Sequence, residues 1–301
     1  MDQFCSSTPW ILPAHQALMP ERELVFLESD NGYVALARGM DPNYGIYLEP
    51  LECMWQFSSP FACVNEELAG EFSEFIESGI GQWNLLILTG LYPHSSFFRK
   101  LTAVLEKRFR LVLLGSATRI SARILDGVDG FLSRRSPKFR SSLKQAIRRG
   151  VTLGIEFEEH YGVTCSAHSL KLYERVLDIE RRSHKGKAEM GIEQPGMRKF
   201  YELMLPRLVI TDGLRMIFAR HEGRDIGFAF GGVKGLLFRG LQMSFDQDYA
   251  RYSVGNLLQY QMMTQLEKEG AVLYDLGSDM EYKRRWGEER FLTVSLGVTR
   301  V

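Results

Sequence analysis

The stretch RYSVGNLLQYQMMTQLEKEG, residues 251–270, joins a segment typical of a strand to a segment typical of a helix. Before it, the apolar sequence GLLFRGLQMSF (235–245) predicts a β-strand. A helical pattern begins at once after Ser253 and Gly255. Such a junction can hold a phosphate, because free backbone N–H groups at a helix N-terminus point toward it. A capped helix behind a tight turn fits the same residues equally well.

The second half of the chain predicts a regular order of elements around this junction. In sequence these are a strand (154–160), two helices (166–186 and 195–210), three antiparallel strands (214–245), a helix (253–270), a strand (272–277), a short helix (279–287) and a final strand (290–298).

The first half alternates strand-like and helical segments in the same way. They are strands at 23–29, 32–39 and 44–50, a helix at 65–79, a strand at 83–91, a helix at 95–109 and a strand at 110–116. Both halves therefore predict an α/β protein.

A basic segment, SRRSPKFRSSLKQAIRRG (133–150), separates the two halves. Pro137 after Ser136 fits the start of a helix, and Gly150 fits its end. Two interpretations are open, a solvated helix that links two domains and a surface that faces phosphates or an anionic acceptor. Its seven positive charges, with no acid among them, are Arg134, Arg135, Lys138, Arg140, Lys144, Arg148 and Arg149.

The bulk composition limits the classes of partner. Lys+Arg and Asp+Glu both total 37, so the formal net charge is zero and no global field draws the chain to nucleic acid or an anionic membrane. The four cysteines have no zinc spacing, and no apolar run is long enough to span a bilayer. The first residues lack the pattern of a signal peptide. We expect a cytoplasmic protein without membrane insertion, a metal or general nucleic-acid binding.

Three motifs together resemble a bacterial family of tandem-GNAT acyltransferases, related to Fem peptidyltransferases and to the acetyltransferase-like proteins of cellulose and exopolysaccharide clusters. The first is the turn Ser253-Val254-Gly255 in YSVGNLLQYQMM, where the family usually has proline in the middle. The second is the pair Tyr282-Lys283 in EGAVLYDLGSDMEYKRRWG. The third is IERRSHKGKAEMGI (179–192), with His184 where the family commonly has tryptophan. The resemblance is strong for residues 130–301 and weaker before them.

This resemblance implies a tandem GNAT fold, in which each domain is a mixed, mostly antiparallel sheet flanked by helices. We expect a degenerate N-terminal domain (1–133), the basic segment as a linker helix (134–150) and a coenzyme-binding domain (151–301). The implied reaction is acyl transfer from acetyl-CoA or another acyl-CoA to an amine of a sugar or small metabolite. No metal is implied.

The resemblance also implies a coenzyme site. The pantetheine would pair with the exposed edge of the strand in RGLQMSF, and the pyrophosphate would sit over the turn that follows. We expect Ser253 to cap the helix, Gly255 to leave room for the phosphate and Arg251 to add a positive charge. The predicted cofactor-binding residues are Leu241, Gln242, Met243, Arg251, Ser253, Val254, Gly255 and Asn256.

By the same analogy, Tyr282 would protonate the departing thiolate, and Asp275 would orient the acceptor or accept its proton. A packed ring for Tyr282 and a helix cap or a salt bridge to Lys283 or Arg284 for Asp275 are the structural alternatives. Glu180, His184 and Lys185 would bind the acceptor, although a solvated helix face is equally compatible with Glu180 and Lys185. Lys283 would contact phosphate or pair with Asp275.

Two other functions stay open at this stage. A Fem-type aminoacyltransferase would share the fold, and the basic segment could meet the phosphates of aminoacyl-tRNA. A non-catalytic member would bind a ligand or partner without turnover.

Overall fold

The computed structural model describes residues 4–188 and 191–300. The strands are β1 (Glu23–Ser29), β2 (Gly32–Asp41), β3 (Gly45–Pro50), β4 (Phe61–Cys63), β5 (Leu85–Leu91), β6 (Phe109–Arg123), β7 (Glu156–His160), β8 (Leu214–His221), β9 (Arg224–Lys234), β10 (Leu237–Phe245), β11 (Leu273–Ser278) and β12 (Glu289–Arg300). The helices are α1 (Thr8–Leu18), α2 (Leu68–Glu74), α3 (Ser96–Leu105), α4 (Gly127–Ser133), α5 (Pro137–Leu153), α6 (Ser166–Arg182), α7 (His184–Lys187), α8 (Pro195–Ile210) and α9 (Val254–Lys268). A π-helix continues α2 (Phe75–Gly79), and 3₁₀ turns lie at Gln247–Tyr252 and Lys283–Arg285.

The elements confirm the predicted α/β fold class, with local differences. The sequence did not predict α1, β4 or α4. The helix expected over 279–287 is wrong, because only Lys283–Arg285 form a 3₁₀ turn. Contacts with residues outside the segment determine the backbone path of residues 279–287. The Trp286 ring stacks on Phe131 at a centroid distance of 5.9 Å, and its indole N–H donates to Asn256.

The basic helix α5 does not stop at Gly150. Gly150 is buried inside the helix, where a Cβ would lie 2.9 Å from the Leu257 side chain. The left-handed residue that ends α5 is Gly154, with φ 79°. Leu143 and Ala146 are also buried, so α5 packs along α9 and is not a helix surrounded by solvent.

Two compact units divide the chain. The first comprises the residues up to Thr118 together with those from Leu292, and the second comprises Arg119–Phe291. Their boundaries fall within β6 and β12, so they differ from the domain boundaries expected from the sequence. The basic helix α5 belongs to the second unit, and most of the last strand belongs to the first.

In the first unit, β1, β2 and β3 pair antiparallel, and β3 pairs parallel with β5. β5 then pairs antiparallel with β12. One face of this sheet carries an apolar core with α2 and α3, in which Leu36, Phe72 and Leu101 are fully buried. A smaller cluster that includes Met19 and Leu51 packs with residues of α1.

A ten-residue excursion, residues 51–60, separates β3 from β4. β3 leaves β2 at Pro50, and β4 rejoins β2 at Phe61. The excursion packs on the part of β5 that β3 no longer pairs with, since Thr89 Oγ1 donates to the Ser58 carbonyl at 2.8 Å. A Cβ at Gly90, whose φ is 63°, would lie 2.5 Å from the Ser58 backbone. The first unit thus fills the gap beside its parallel strand pair with its own backbone.

The buried carboxylate of Glu52 holds this excursion in place. It accepts hydrogen bonds from the backbone N–H groups of Trp55 at 2.6 Å and Ser58 at 3.3 Å, and from the Trp10 indole at 3.4 Å. Burial raises the pKa of Glu52, and these hydrogen bonds oppose that effect.

The second unit repeats the strand pattern of the first. β8, β9 and β10 pair antiparallel, β10 pairs parallel with β11, and β11 pairs antiparallel with β6. β7 adds an edge strand beside β8. Side chains alternate across β9, so Phe230 packs against Tyr201 of α8 while Ala229 joins the apolar cluster of α9. Helices therefore cover both faces of this sheet.

Within residues 4–188 and 191–300, no helix combines the length and apolar character needed to cross a membrane.

Candidate active site

The parallel pair β10–β11 separates after three residues. The ladder joins Leu237 to Leu273, Phe238 to Tyr274 and Arg239 to Asp275, and β10 then continues without β11 to Phe245. A bulge lies at this point, because Gly240 pairs with Gly231 and Gln242 with Phe230, leaving Leu241 unpaired. A bulge bends its strand and redirects the side chains that follow. The edge of β10 at Leu241–Met243 is therefore open on the β11 side, as the family resemblance implied.

The turn before α9 has a conformation that the sequence did not predict. Ser253 lies in the left-handed region, with φ 59° and ψ 39°, and its side chain makes no cap hydrogen bond. The expectation that Ser253 caps the helix through its hydroxyl is wrong, because capping requires an extended backbone. Its carbonyl accepts from the backbone N–H groups of Asn256 at 2.9 Å and Leu257 at 3.2 Å.

Two arginines lie at this turn. Arg149 of the basic helix α5 donates to Ser253 Oγ at 3.4 Å. Arg251 is exposed, and its guanidinium lies 4.9 Å from the centroid of the Tyr252 ring. The start of α9 thus has positive charge from both sides, in addition to the partial positive charge of the helix N-terminus.

Gly255 packs against β10. A Cβ at this position would lie 3.2 Å from Phe245 and 3.6 Å from Met243, both on β10. The glycine therefore lets α9 approach the strand closely. Val254 is fully buried in the apolar cluster, and Asn256 accepts the Trp286 indole N–H at 3.2 Å.

Asp275 marks the point where the strands separate. Its carboxylate accepts from Arg239 Nη1 at 2.7 Å and Arg119 Nη1 at 2.9 Å, and from the Gly277 N–H at 2.8 Å. All three charged side chains are buried. The salt bridges expected to Lys283 or Arg284 are replaced by this buried cluster, because two guanidinium groups already surround the carboxylate.

The sequence analysis missed Arg119 and Arg239. Arg239 carried a signal, since it is the one charged residue in the apolar stretch GLLFRGLQMSF. A charge inside a buried strand needs a partner, because an unpaired buried charge is strongly destabilising.

Lys283 lies next to this cluster. Its Nζ is 3.3 Å from the position of a Cβ at Gly277, whose φ of 86° already favours glycine. Burial lowers the pKa of Lys283 to about 8, with a further lowering by Arg239 and Lys185 and an opposing effect of Asp275. This amine therefore changes its charge close to neutral pH, and an ordinary surface lysine does not.

Tyr282 precedes Lys283 and is 52% exposed. The Lys283 ammonium lies 5.7 Å from the centroid of its ring. Burial raises the pKa of the Tyr282 phenol, so the group keeps its proton at neutral pH. The role of Tyr282 as an acid stays a prediction.

Lys185 reaches the open edge of β10 from α7. Its Nζ donates to the Met243 carbonyl at 3.0 Å and to Gln242 Oε1 at 3.2 Å. Gln242 Nε2 in turn donates to the Tyr201 hydroxyl at 3.0 Å. Burial lowers the pKa of Lys185, and Glu180 opposes that effect. Lys185 thus lies against the edge of β10 and not on a solvated face.

Glu180 is also buried, at the end of α6, whereas His184 is exposed at the start of α7. Glu180 Oε2 accepts from Ser183 Oγ at 3.2 Å. A cavity of about 260 Å³ lies beside Glu180, and its lining residues are Glu180, Gly186, Gly191, Glu193, Gln194 and Pro195. In the described part of the chain, no group of three or more His, Cys, Asp and Glu side chains is arranged to hold a metal ion.

Residues 137–284 match the model of the family described as Acetyltransferase (GNAT) domain. The matched segment begins at α5 and includes the open edge of β10, the start of α9 and Lys283. The chain has a GNAT-type fold. No curated protein sequence matches it significantly.

Solved structures agree with this fold over nearly the whole chain. FemX is 11% identical with a TM-score of 0.68, over 99% of this chain and 92% of FemX. A conserved protein of unknown function from Bacteroides thetaiotaomicron VPI-5482 is 12% identical with a TM-score of 0.65, over 98% and 91%. L-PGS from Bacillus licheniformis is 10% identical with a TM-score of 0.55, over 95% and 90%. At these identities the similarity concerns the fold alone.

Proposed function

We propose that this protein transfers an acyl group from an acyl-CoA to an amine, and that the second unit binds the donor. The observation that carries the proposal is the opening between β10 and β11 beyond Arg239 and Asp275, next to the start of α9. An open strand edge offers unpaired peptide groups to an extended ligand, as in other cases of strand addition. The amides of a pantetheine arm suit such an edge.

The donor phosphates would lie at the start of α9. Backbone N–H groups at a helix N-terminus favour an anion. Arg149 supports this placement because it already contacts Ser253, and Arg251 is free to turn toward a ligand from its exposed position. Part of the basic segment would then serve the donor, while Arg134 and Arg135 have a structural role through Glu288.

Lys283 would carry the proton in the reaction. The acceptor nitrogen attacks the thioester carbonyl, a C–N bond forms, and the C–S bond breaks. The nitrogen loses a proton, and the thiolate of coenzyme A gains one. An amine with a pKa of about 8 can accept the first proton and supply the second, since a thiol has a pKa near ~8.5. Asp275 would act by positioning Arg239, and Tyr282 is the competing candidate for the acid.

The test is release of free coenzyme A thiol from acetyl-CoA and longer acyl-CoA donors, measured with a panel of amines. We expect amine-dependent thiol release that falls about 10²-fold or more in Lys283→Met. Lys234→Met, at the exposed lysine that ends β9, is the matched control and should keep the wild-type rate. Absence of both donor binding and amine-dependent release for every donor would contradict the proposal.

A second candidate is Fem-type transfer from aminoacyl-tRNA. It is supported by the structural similarity to FemX and by four exposed cations of α5 besides Arg149, which are Lys138, Arg140, Lys144 and Arg148. Binding of tRNA that weakens steeply with salt would favour this candidate, because displaced phosphate counterions set that slope. Stabilisation of the protein by acetyl-CoA but not by tRNA would favour acyl-CoA as the donor.

A further inference from the structure

The cavity beside Glu180 is acidic. Two of its lining side chains are carboxylates, Glu180 and Glu193, and none of the described residues that line it is Lys, Arg or His. Glu193 already has a cation, since it accepts from Arg181 Nε at 2.7 Å. Glu180 has no such partner among the salt bridges of the described residues.

One oxygen of Glu180 lies beside Gly191, at the wall of this cavity, without a hydrogen bond. The residue is fully buried, and its Oε1 has no partner in residues 4–188 and 191–300. A Cβ at Gly191, which lines the cavity, would lie only 2.6 Å from this oxygen. A buried acceptor left without a donor is costly, and more so when it is charged. This oxygen is therefore suited to a ligand that donates a hydrogen bond and carries positive charge.

The open edge of β10 has the opposite charge. Lys185 lies close enough to Glu180 for their charges to interact, but its amine donates to Met243 and Gln242 on the open edge of β10. Lys283 and Arg239 add two further cations on that side. A cationic environment favours the neutral form of an amine, and a carboxylate favours the charged form.

These two environments suit two different amines of one acceptor. An amine that attacks a thioester must be neutral, so it fits the cationic side at the β10 edge. An ammonium held by Glu180 would stay protonated and would not react. We propose, on the basis of the proposed acyl transfer, that the acceptor carries a second, cationic nitrogen that is not acylated and that Glu180 binds in the cavity.

The experiment compares a diamine with the monoamine of equal chain length, such as pentane-1,5-diamine and pentylamine, with acetyl-CoA as donor. We expect kcat/KM to be about ten- to a hundredfold higher for the diamine, the size of a hydrogen bond to a charged group. Glu180→Gln keeps the shape and removes the charge, and should abolish this preference. Glu222→Gln, in the exposed β8–β9 turn, should preserve the preference.

Gly191→Ala provides a second test if Glu180→Gln does not fold. Its added methyl group would occupy the space beside Glu180 Oε1 without changing charge, so it should also reduce the preference. Equal use of both amines by the wild type, or an unchanged preference in the folded variants, would overturn the inference while leaving acyl transfer intact. Calorimetry of diamine binding in the absence of a donor distinguishes the failure of this inference from the failure of the proposed acyl transfer. Glu180-dependent binding with no turnover for any donor would support this inference and contradict the proposed reaction.

Discussion

The shifted pKa of Lys283 makes the pH dependence of the reaction the most direct test of the site. With a pKa of about 8, about one Lys283 side chain in ten is neutral at pH 7. At the ordinary value of 10.5 the neutral fraction would be about one in 3,000. The surroundings of Lys283 therefore increase the neutral amine at pH 7 by about 300-fold.

If neutral Lys283 accepts the proton, kcat/KM should rise about tenfold per pH unit below pH 7 and level off above about 8. The acceptor should be an aniline that bears an aminomethyl group, because its reacting amine stays neutral throughout this range. The pH dependence of kcat/KM then reflects an ionisation of the enzyme and not that of the attacking amine. A rate that instead falls above pH 8 would assign Lys283 the role of acid alone.

Two neighbours of Lys283 should move this inflection in opposite directions. Lys185→Met removes a cation that lowers the pKa of Lys283, so the inflection should move to higher pH. Asp275→Asn removes a carboxylate that raises the pKa of Lys283, so the inflection should move to lower pH. Lys187→Met, at an exposed lysine of α7, should leave it unchanged. A wild-type profile without an inflection near pH 8, or shifts of the same sign in both variants, would refute the assignment.

Three further changes test the surroundings of the site. Arg149→Ala should weaken acetyl-CoA binding several-fold without changing kcat, measured by calorimetry and initial rates, and undiminished affinity would place the phosphates elsewhere. Asp275→Asn should lower the free energy of unfolding by about 3–5 kcal/mol in urea titrations, because Arg119 and Arg239 lose their buried partner. Tyr282→Phe should keep the melting temperature, since the ring is half exposed, and should lower kcat about 10²-fold only if the phenol donates a proton.

The sequence predicted the elements that local pattern determines. The order of β10, α9 and β11 follows from apolar periodicity and turn residues, and the structure confirms it. The coarse location of the site follows from the same junction. The local pattern could not predict the backbone conformation of Ser253, whose positive φ depends on the 3₁₀ turn that precedes it.

Long-range partners account for the other differences. Asp275 and Arg119 are 156 residues apart in the chain, so no local pattern could pair them. The depressed pKa of Lys283 likewise comes from burial and from charges on other elements. The close approach of Phe245 to Gly255 depends on the packing of α9 on β10, which no local pattern shows.

The excursion formed by residues 51–60 gives the two units different sources of stability. In the first unit, Ser58 and its neighbours supply the contacts beside β5 whether or not any small molecule is present. In the second unit, the corresponding edge of β10 would be completed only by a bound donor. Added acetyl-CoA should therefore raise the free energy of the opening that permits amide hydrogen exchange in β10 and α9, in proportion to the logarithm of its concentration above Kd. Hydrogen exchange in β3 and β5 should stay the same, because residues 51–60 of the same chain already supply the contacts beside β5.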